Sequence, residues 1–124
     1  MTIKIFFLII SCVTLSALSQ IIMKHGMSSS QIQSSLANGL GMGTAWDVAT
    51  NLYVFLGLSM YVMGAGLWLV VLSKVDVSMA YPFVGLGFVM TMLLGWLLLQ
   101  ENIGMIRIIG TLLIVAGVVL VSRS

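Results

Sequence analysis

The stretch "VSMAYPFVGLGFV", Val77 to Val89, combines a strongly apolar run with the only proline of the chain, Pro82, and two glycines, Gly85 and Gly87. Proline lacks an N–H and glycine weakens helices, so an apolar segment that carries both needs a reason for each. The run continues without a charged residue to Leu99 and reads as a membrane-spanning helix from about Met79 to Leu99. If Asp76 or Ser78 supplies the amino-terminal cap, Pro82 falls in or just after the first turn, where a missing N–H costs little. If the helix starts earlier, Pro82 kinks it. Either way the proline sets the angle at which the helix enters.

Outward from this stretch the whole chain has the same character. Of its 124 residues 60% are hydrophobic and 6% charged, and the mean hydropathy is +1.21, far from the roughly one-quarter charged content of soluble domains. The chain reads as an integral membrane protein with room for about four spans of about 20 residues each. "SKVDVS", Ser73 to Ser78, is a polar turn before the span described above, and "QENIG" is the turn after it. A last span runs over about 103–121 and a first over about 3–23. Lys4, the run Ile5 to Ile10 and the small residues Ala17 and Ser19 also fit a cleavable leader. The run is long enough to span and more membrane sequence follows, so it is read as a retained helix. The segment from Lys24 to about Gly43 is rich in Ser, Gln and Gly; within it "SSQIQSSLA" has a weak helical period suited to an interfacial helix. "TAWD", Thr44 to Asp47, matches the capping-box pattern, which starts the second span near Ala45 and carries it to Leu72. Trp46, Tyr53 and Trp68 suit headgroup layers. The expected fold is all-α: one four-helix transmembrane domain over residues 1–124, dimerised.

Several functions fall away at this point. Cys12 is the lone cysteine, so no intramolecular disulfide forms, and it is read as packing. Five basic residues scattered between spans make no nucleic-acid patch. One His, no metal-spaced Cys or His cluster, no nucleophile motif and no phosphate loop argue against an enzyme, a metal site or a cofactor. Orientation is weakly specified, because Lys4, Lys74 and Arg123 on one side face Lys24, His25 and Arg107 on the other.

Lipid tails are as apolar as leucine, so spans associate through close backbone approach at small residues. Gly57 and Gly64 in the second span lie seven apart; Gly87, Thr91 and Gly95 in the third recur every four and leave a groove; Gly110 and Gly117 in the fourth make a candidate dimer seam. Internal packing within one unit is the competing reading of these glycines. In the first span Ser16, Gln20 and Lys24 also recur every four residues. They form either interhelical hydrogen bonds or a polar track for a headgroup, with Lys24 at its mouth. Lys74, Asp76, Glu101 and Arg107 sit at span ends, as solvated termini or as headgroup partners.

With the spans placed, "LSKVDVSMAYPFVGLGFV" followed by "GWLLLQENIGMIRIIGTLLIVAGVVLV" resembles the drug/metabolite transporter superfamily. The resemblance is to its short four-helix branch, which holds small multidrug resistance proteins and undecaprenyl phosphate-aminoarabinose flippase subunits, and it covers nearly the whole chain. "LSALSQIIMKHGM" resembles the first span of small multidrug resistance proteins through "MK", but Ser16 occupies the position of their membrane glutamate. The flippase branch also lacks that glutamate, and its "AYP" pattern matches Ala80, Tyr81 and Pro82. Physics agrees with the second branch, since a mid-membrane carboxylate attracts cations and repels a phosphate.

The resemblance implies a flippase subunit for a polyprenyl-phosphate-linked sugar in a bacterial inner membrane, serving lipopolysaccharide or glycan biosynthesis. It would be paired with a second copy or a similar short subunit and would bind membrane lipid but no nucleic acid. Lys24, Lys74 and Arg107 are then expected phosphate partners, Ser16, Gln20 and Tyr81 sugar partners, and Glu101 or Asp76 the partner of an amine. The alternatives are a proton-coupled exporter of small cations or metabolites that uses Glu101, and a non-transporting membrane scaffold subunit.

Overall fold

The computed structural model describes residues 2–124, and among them every regular element is helical. α1 spans Ile3–Met27, with the Thr2 hydroxyl accepting from the Ile5 N–H at 3.4 Å. It runs a turn past the expected end at residue 23. Twenty-five residues rise about 37 Å, more than the hydrocarbon core needs, so the last turn lifts Lys24 and His25 into the headgroup layer. Both are cations or potential cations beside the negative end of the helix dipole.

The polar segment folds into two short helices, α2 (Ser30–Ala37) and α3 (Met42–Thr50). Gly39, at φ +102°, makes the left-handed turn between them, which a side chain would strain. Ser29 caps α2 and Ile32 is buried beneath it. Asp47 on α3 accepts from Gln31 at 3.3 Å and from Ser35. This corrects the capping-box reading of "TAWD". Thr44 lies inside α3 and its hydroxyl donates to the carbonyls of Gly39, at 2.9 Å, and Ser35, at 3.3 Å. Asp47 reaches across to α2 rather than back to Thr44.

The second span starts seven residues later than expected, as α4 (Leu52–Leu72). Asn51 is in an extended conformation that breaks the chain between α3 and α4. Its Oδ1 accepts from the N–H groups of Tyr53, at 3.0 Å, and Val54, at 3.2 Å, and its amide donates to the Gly26 carbonyl at 3.5 Å. One side chain therefore caps α4 and ties it to the end of α1.

The third span, Val77–Leu98, is assembled from α5 (Val77–Ala80), a 3-10 turn (Tyr81–Phe83) and α6 (Val84–Leu98). Asp76 occupies the N-cap position without a side-chain cap bond. Pro82 thus lies beyond the first turn, and the helix tightens locally to 3-10 geometry where its N–H is missing. α7 (Met105–Ser122) follows, entered from Gly104.

α1 is the centre of the bundle. It packs along α4 and against α6, whereas α7 packs chiefly on α6 and the 3-10 turn. Ile9, Cys12 and Val13 of α1 meet Val71, Ala80, Phe83 and Val118 in one buried cluster. Glycines set the helix separations. A Cβ on Gly57 would stand 3.0 Å from the Ser19 carbonyl and 3.2 Å from the Met23 nitrogen, and one on Gly85 would stand 2.6 Å from Ile114 Cγ2. At these positions, the reading of the glycines as internal packing is the one the geometry supports.

Candidate functional site: a two-part groove along α1

Ser16, Gln20 and Lys24 recur every four residues and share one face of α1. That face forms the floor of a groove of about 570 Å³, walled by Tyr61 of α4 and by Gly87, Phe88 and Thr91 of α6. Other hydroxyls of α1 are engaged elsewhere: Ser11 donates to Phe7 O, Ser19 to Ser16 O, and Thr14 to the Met90 sulfur. Gly87 leaves room because it has no side chain, and Thr91 turns its hydroxyl onto the Gly87 carbonyl at 2.9 Å.

Toward the opposite membrane face the groove continues into a second cavity of about 230 Å³, lined among others by Cys12, Ser16, Trp68 and Tyr81. Ser16, Tyr61, Val84 and Gly87 line both parts. From Lys24 to Cys12 the floor extends about 18 Å at the helical rise, more than half the thickness of the hydrocarbon core.

Only two charged side chains line this track, and they have opposite sign: Lys24 at the end of α1 and Glu101 in the turn after α6. Glu101 is placed by its backbone. Gln100 adopts a left-handed conformation, φ 56°, uncommon for a residue with a long side chain. The turn brings the Glu101 N–H to the Gly95 carbonyl at 3.1 Å. The carboxylate lies over Gly95, with Oε1 3.1 Å from where a Cβ would be.

Of the residues singled out in the sequence, Ser16, Gln20, Lys24 and Glu101 come together in the larger part, and Tyr81 joins Ser16 in the smaller. Lys74 and Asp76 stand in the turn between α4 and α5 and line neither part. Arg107, in the first turn of α7, donates to the Asn102 carbonyl at 3.4 Å and also lies outside. Around Gly110 and Gly117 nothing of the chain comes within 4 Å of a Cβ position. The sequence reading passed over Tyr61, although its place four residues after Gly57 and three before Gly64 puts it on the face that packs toward α1. Among the described residues no group of three His, Cys, Asp or Glu gathers that would hold a metal.

Residues 3–123 match the model of the EamA-like transporter family. The chain is 37% identical to a Klebsiella pneumoniae (strain 342) protein over 60% of its own length and 68% of the relative's. It is 42% identical to a Pseudomonas aeruginosa (strain UCBPP-PA14) protein over 54% of its length and 60% of the relative's, and 35% identical to one from Salmonella newport (strain SL254) over 65% and 75%. Each relative is named as a probable 4-amino-4-deoxy-L-arabinose-phosphoundecaprenol flippase subunit ArnE. No solved structure matches the chain. Four helices long and apolar enough to cross a bilayer, together with a family match that runs over nearly their whole length, make this a multi-pass membrane protein that belongs to the EamA-like transporter family.

Proposed function

We propose that the chain is one subunit of a flippase that carries a polyprenyl-phosphate-linked sugar across the bacterial inner membrane by alternating access, rather than an enzyme. The observation that carries this reading is the polar floor of α1, which leads from Lys24 at one membrane face past Gln20 and Ser16 toward Tyr81 at the other. A phosphate and a sugar cannot cross hydrocarbon unaided, because each polar group stripped of water without a partner costs several kcal/mol. A groove with polar side chains on its floor replaces that water, while the isoprenoid tail stays in lipid.

Lys24 takes the phosphate through a charge-assisted hydrogen bond, and Ser16, Gln20 and Tyr81 take sugar hydroxyls. Lys74 and Asp76 stand at the opposite face and are assigned to the state open to that side; Arg107 is assigned to the approach on the Lys24 side. The naming of the relatives as flippase subunits supports a second subunit, either another copy or a similar short protein, docked on α7 through Gly110 and Gly117. Rocking of the two subunits then exposes the track alternately.

The test is transbilayer movement of a polyprenyl-phosphate sugar in liposomes that contain the purified protein, followed by the accessibility of the sugar to an external modifying reagent. Movement above that in empty liposomes supports a self-sufficient flippase. If none occurs alone or with a similar short subunit, a scaffold role takes its place. The position of Glu101 in the groove favours one second reading, a proton-coupled exporter of small cations. Cation resistance conferred by the wild-type chain and abolished by Glu101→Gln would support it.

A further inference from the structure

We infer that α3 is a membrane-surface anchor: it lies along the headgroup layer with Met42, Ala45, Trp46 and Ala49 turned into lipid, and α2 covers it on the water side. The inference rests on the four membrane spans and is independent of what the groove carries.

The pattern within α3 is the first observation. Met42, Ala45, Trp46 and Ala49 fall at i, i+3, i+4 and i+7, an apolar stripe about 100° wide. All four are exposed, Met42 at 90% and Trp46 at 70%, and so is Leu40 just ahead of them, at 87%. The opposite side of α3 is engaged within the chain. Thr44 is buried and donates to the carbonyls of Gly39 and Ser35, and Asp47 accepts from Gln31 and Ser35 of α2.

The second observation is that the hairpin has two unlike surfaces. α2 turns Ile32 and Leu36 inward and leaves Ser30, Gln31, Gln33 and Ser34 exposed. Its outer surface is polar where that of α3 is apolar. A boundary between water and hydrocarbon satisfies both, with α3 beneath and α2 above. The interfacial role expected of α2 therefore passes to α3.

The third observation is position. α1 and α4 pack antiparallel, since a Cβ on Gly26 would meet Val54 and one on Gly64 would meet Leu15. The end of α1 and the start of α4 thus share one membrane face, and the hairpin bridges them. It is tied to the end of α1 by the Gln33 amide, which donates to the Met27 carbonyl at 2.8 Å, and by the Asn51 bond to Gly26. Asn51 alone separates α3 from α4, whose first turn exposes Leu52, at 66%, and Phe55, at 61%. The stripe continues the lipid-facing surface of a span.

From Ser28 to Asn51 the only charged side chain is Asp47, and it is turned to α2. The anchor therefore holds through apolar burial and the Trp46 ring rather than through attraction to anionic lipid. Because the hairpin is bonded to the last turn of α1, it also keeps that end, with Lys24, at headgroup depth.

The experiment is tryptophan quenching of the full chain in liposomes of phosphatidylcholine, alone and mixed with phosphatidylglycerol. Trp68 and Trp96 also emit, so the Trp46 signal is the difference between wild type and Trp46→Phe. Phosphatidylcholine brominated near the headgroup end of its acyl chains should remove most of that signal in both mixtures. Acrylamide in the water should quench it several-fold less than it quenches a free tryptophan amide. Ala49→Glu, a charge in the stripe, should raise acrylamide quenching several-fold, whereas Ser34→Glu on the outer side of α2 should leave it unchanged. Full acrylamide quenching without bromolipid quenching in wild type overturns the anchor and puts the hairpin in water. Shielding from both quenchers overturns it in favour of a second subunit on the stripe. Bromolipid quenching that needs phosphatidylglycerol overturns the apolar mode of attachment, and equal effects of Ala49→Glu and Ser34→Glu overturn the assignment of sides.

Discussion

Glu101 folds back over Gly95: its N–H donates to the Gly95 carbonyl at 3.1 Å, and its carboxylate Oε1 lies 3.1 Å from the position a Cβ on residue 95 would take. The end of a helix and the charge beyond it are thereby joined into one unit. Gly95→Ala places a methyl group against that carboxylate. The carboxylate is the free end of a side chain and yields, so the fold should persist, and replacing a helical glycine favours stability by up to about 1 kcal/mol. Thermal unfolding of Gly95→Ala is expected at or slightly above the wild-type midpoint.

Gln100 pays for this placement with its backbone. A left-handed conformation costs a residue with a Cβ about 1–2 kcal/mol, of which Gly recovers most but loses part to the greater freedom of its unfolded chain. Gln100→Gly should therefore raise the unfolding midpoint, by about 0.5–1 kcal/mol in stability. Gln100→Val, with a branched Cβ at φ 56°, should lower it. A midpoint unchanged in both variants would show that the turn carries no strain.

The tight seam between α1 and α4 gives a contrast within one helix. A Cβ on Gly57 would meet the Ser19 carbonyl at 3.0 Å and the Met23 nitrogen at 3.2 Å, both backbone atoms that cannot step aside, whereas Gly66 has nothing within 4 Å. Gly57→Ala must push two helices apart and is expected to destabilise by about 1–3 kcal/mol, as overpacked cores do. Gly66→Ala should be neutral or mildly stabilising. Equilibrium unfolding of both variants in mixed micelles reads the difference.

These positions also show what the sequence could and could not disclose. Four spans were legible because charge is confined to their ends, as at Lys24, Lys74, Asp76 and Glu101. The stripe of Ser16, Gln20 and Lys24 was legible because helical geometry alone puts residues four apart on one face. What opposes that stripe was not legible. Tyr61 arrives there through tertiary packing, and Glu101, a candidate by its charge alone, is brought there by a left-handed Gln100 for which the residue type gives no signal. The start of the second span was misjudged because Thr44 and Asp47 have the residue types of a capping box but spend their hydrogen bonds on α2. Asn51, an equally good cap residue seven positions after Thr44, does the work instead. Lys74, Asp76 and Arg107 fit a headgroup role by charge, but their place outside both parts of the groove came only from the fold, because charge does not fix which side of a helix end a residue occupies.

Asn51 yields a prediction of its own. Its Oδ1 holds two N–H groups at the start of α4 and its amide reaches Gly26 on α1. Asn51→Ala leaves those donors open and should cost about 1 kcal/mol, the usual loss of a helix cap. Asn51→Asp keeps the acceptor and loses only the 3.5 Å bond to Gly26, so it should lie close to wild type. Thr44→Val, which removes the bonds to Gly39 and Ser35, should leave the start of α4 intact. Chemical denaturation of the three variants ranks them, and a Thr44→Val loss larger than that of Asn51→Ala would return the cap to the capping box.

The exposed face of α7 is the place to test assembly. Only 11% of its apolar window is buried by the rest of the chain, against 28% for α1, and Gly110 and Gly117 have nothing within 4 Å. Lipid can cover such a face as readily as a second subunit, so exposure alone does not decide between them. The two occupants respond differently to bulk. Gly110→Leu and Gly117→Leu add side chains into open space within a single chain, so the isolated subunit should fold and unfold as wild type does. At a helix–helix seam the same side chains hold two backbones apart and remove the close contacts that drive association in a bilayer. In the double variant, the cross-linked dimer formed in liposomes is therefore expected to fall at least tenfold, corresponding to about 1.4 kcal/mol or more of association energy. A dimer that survives the double substitution would place the seam on another face, and loss of the folded monomer would show that these glycines pack within the chain after all.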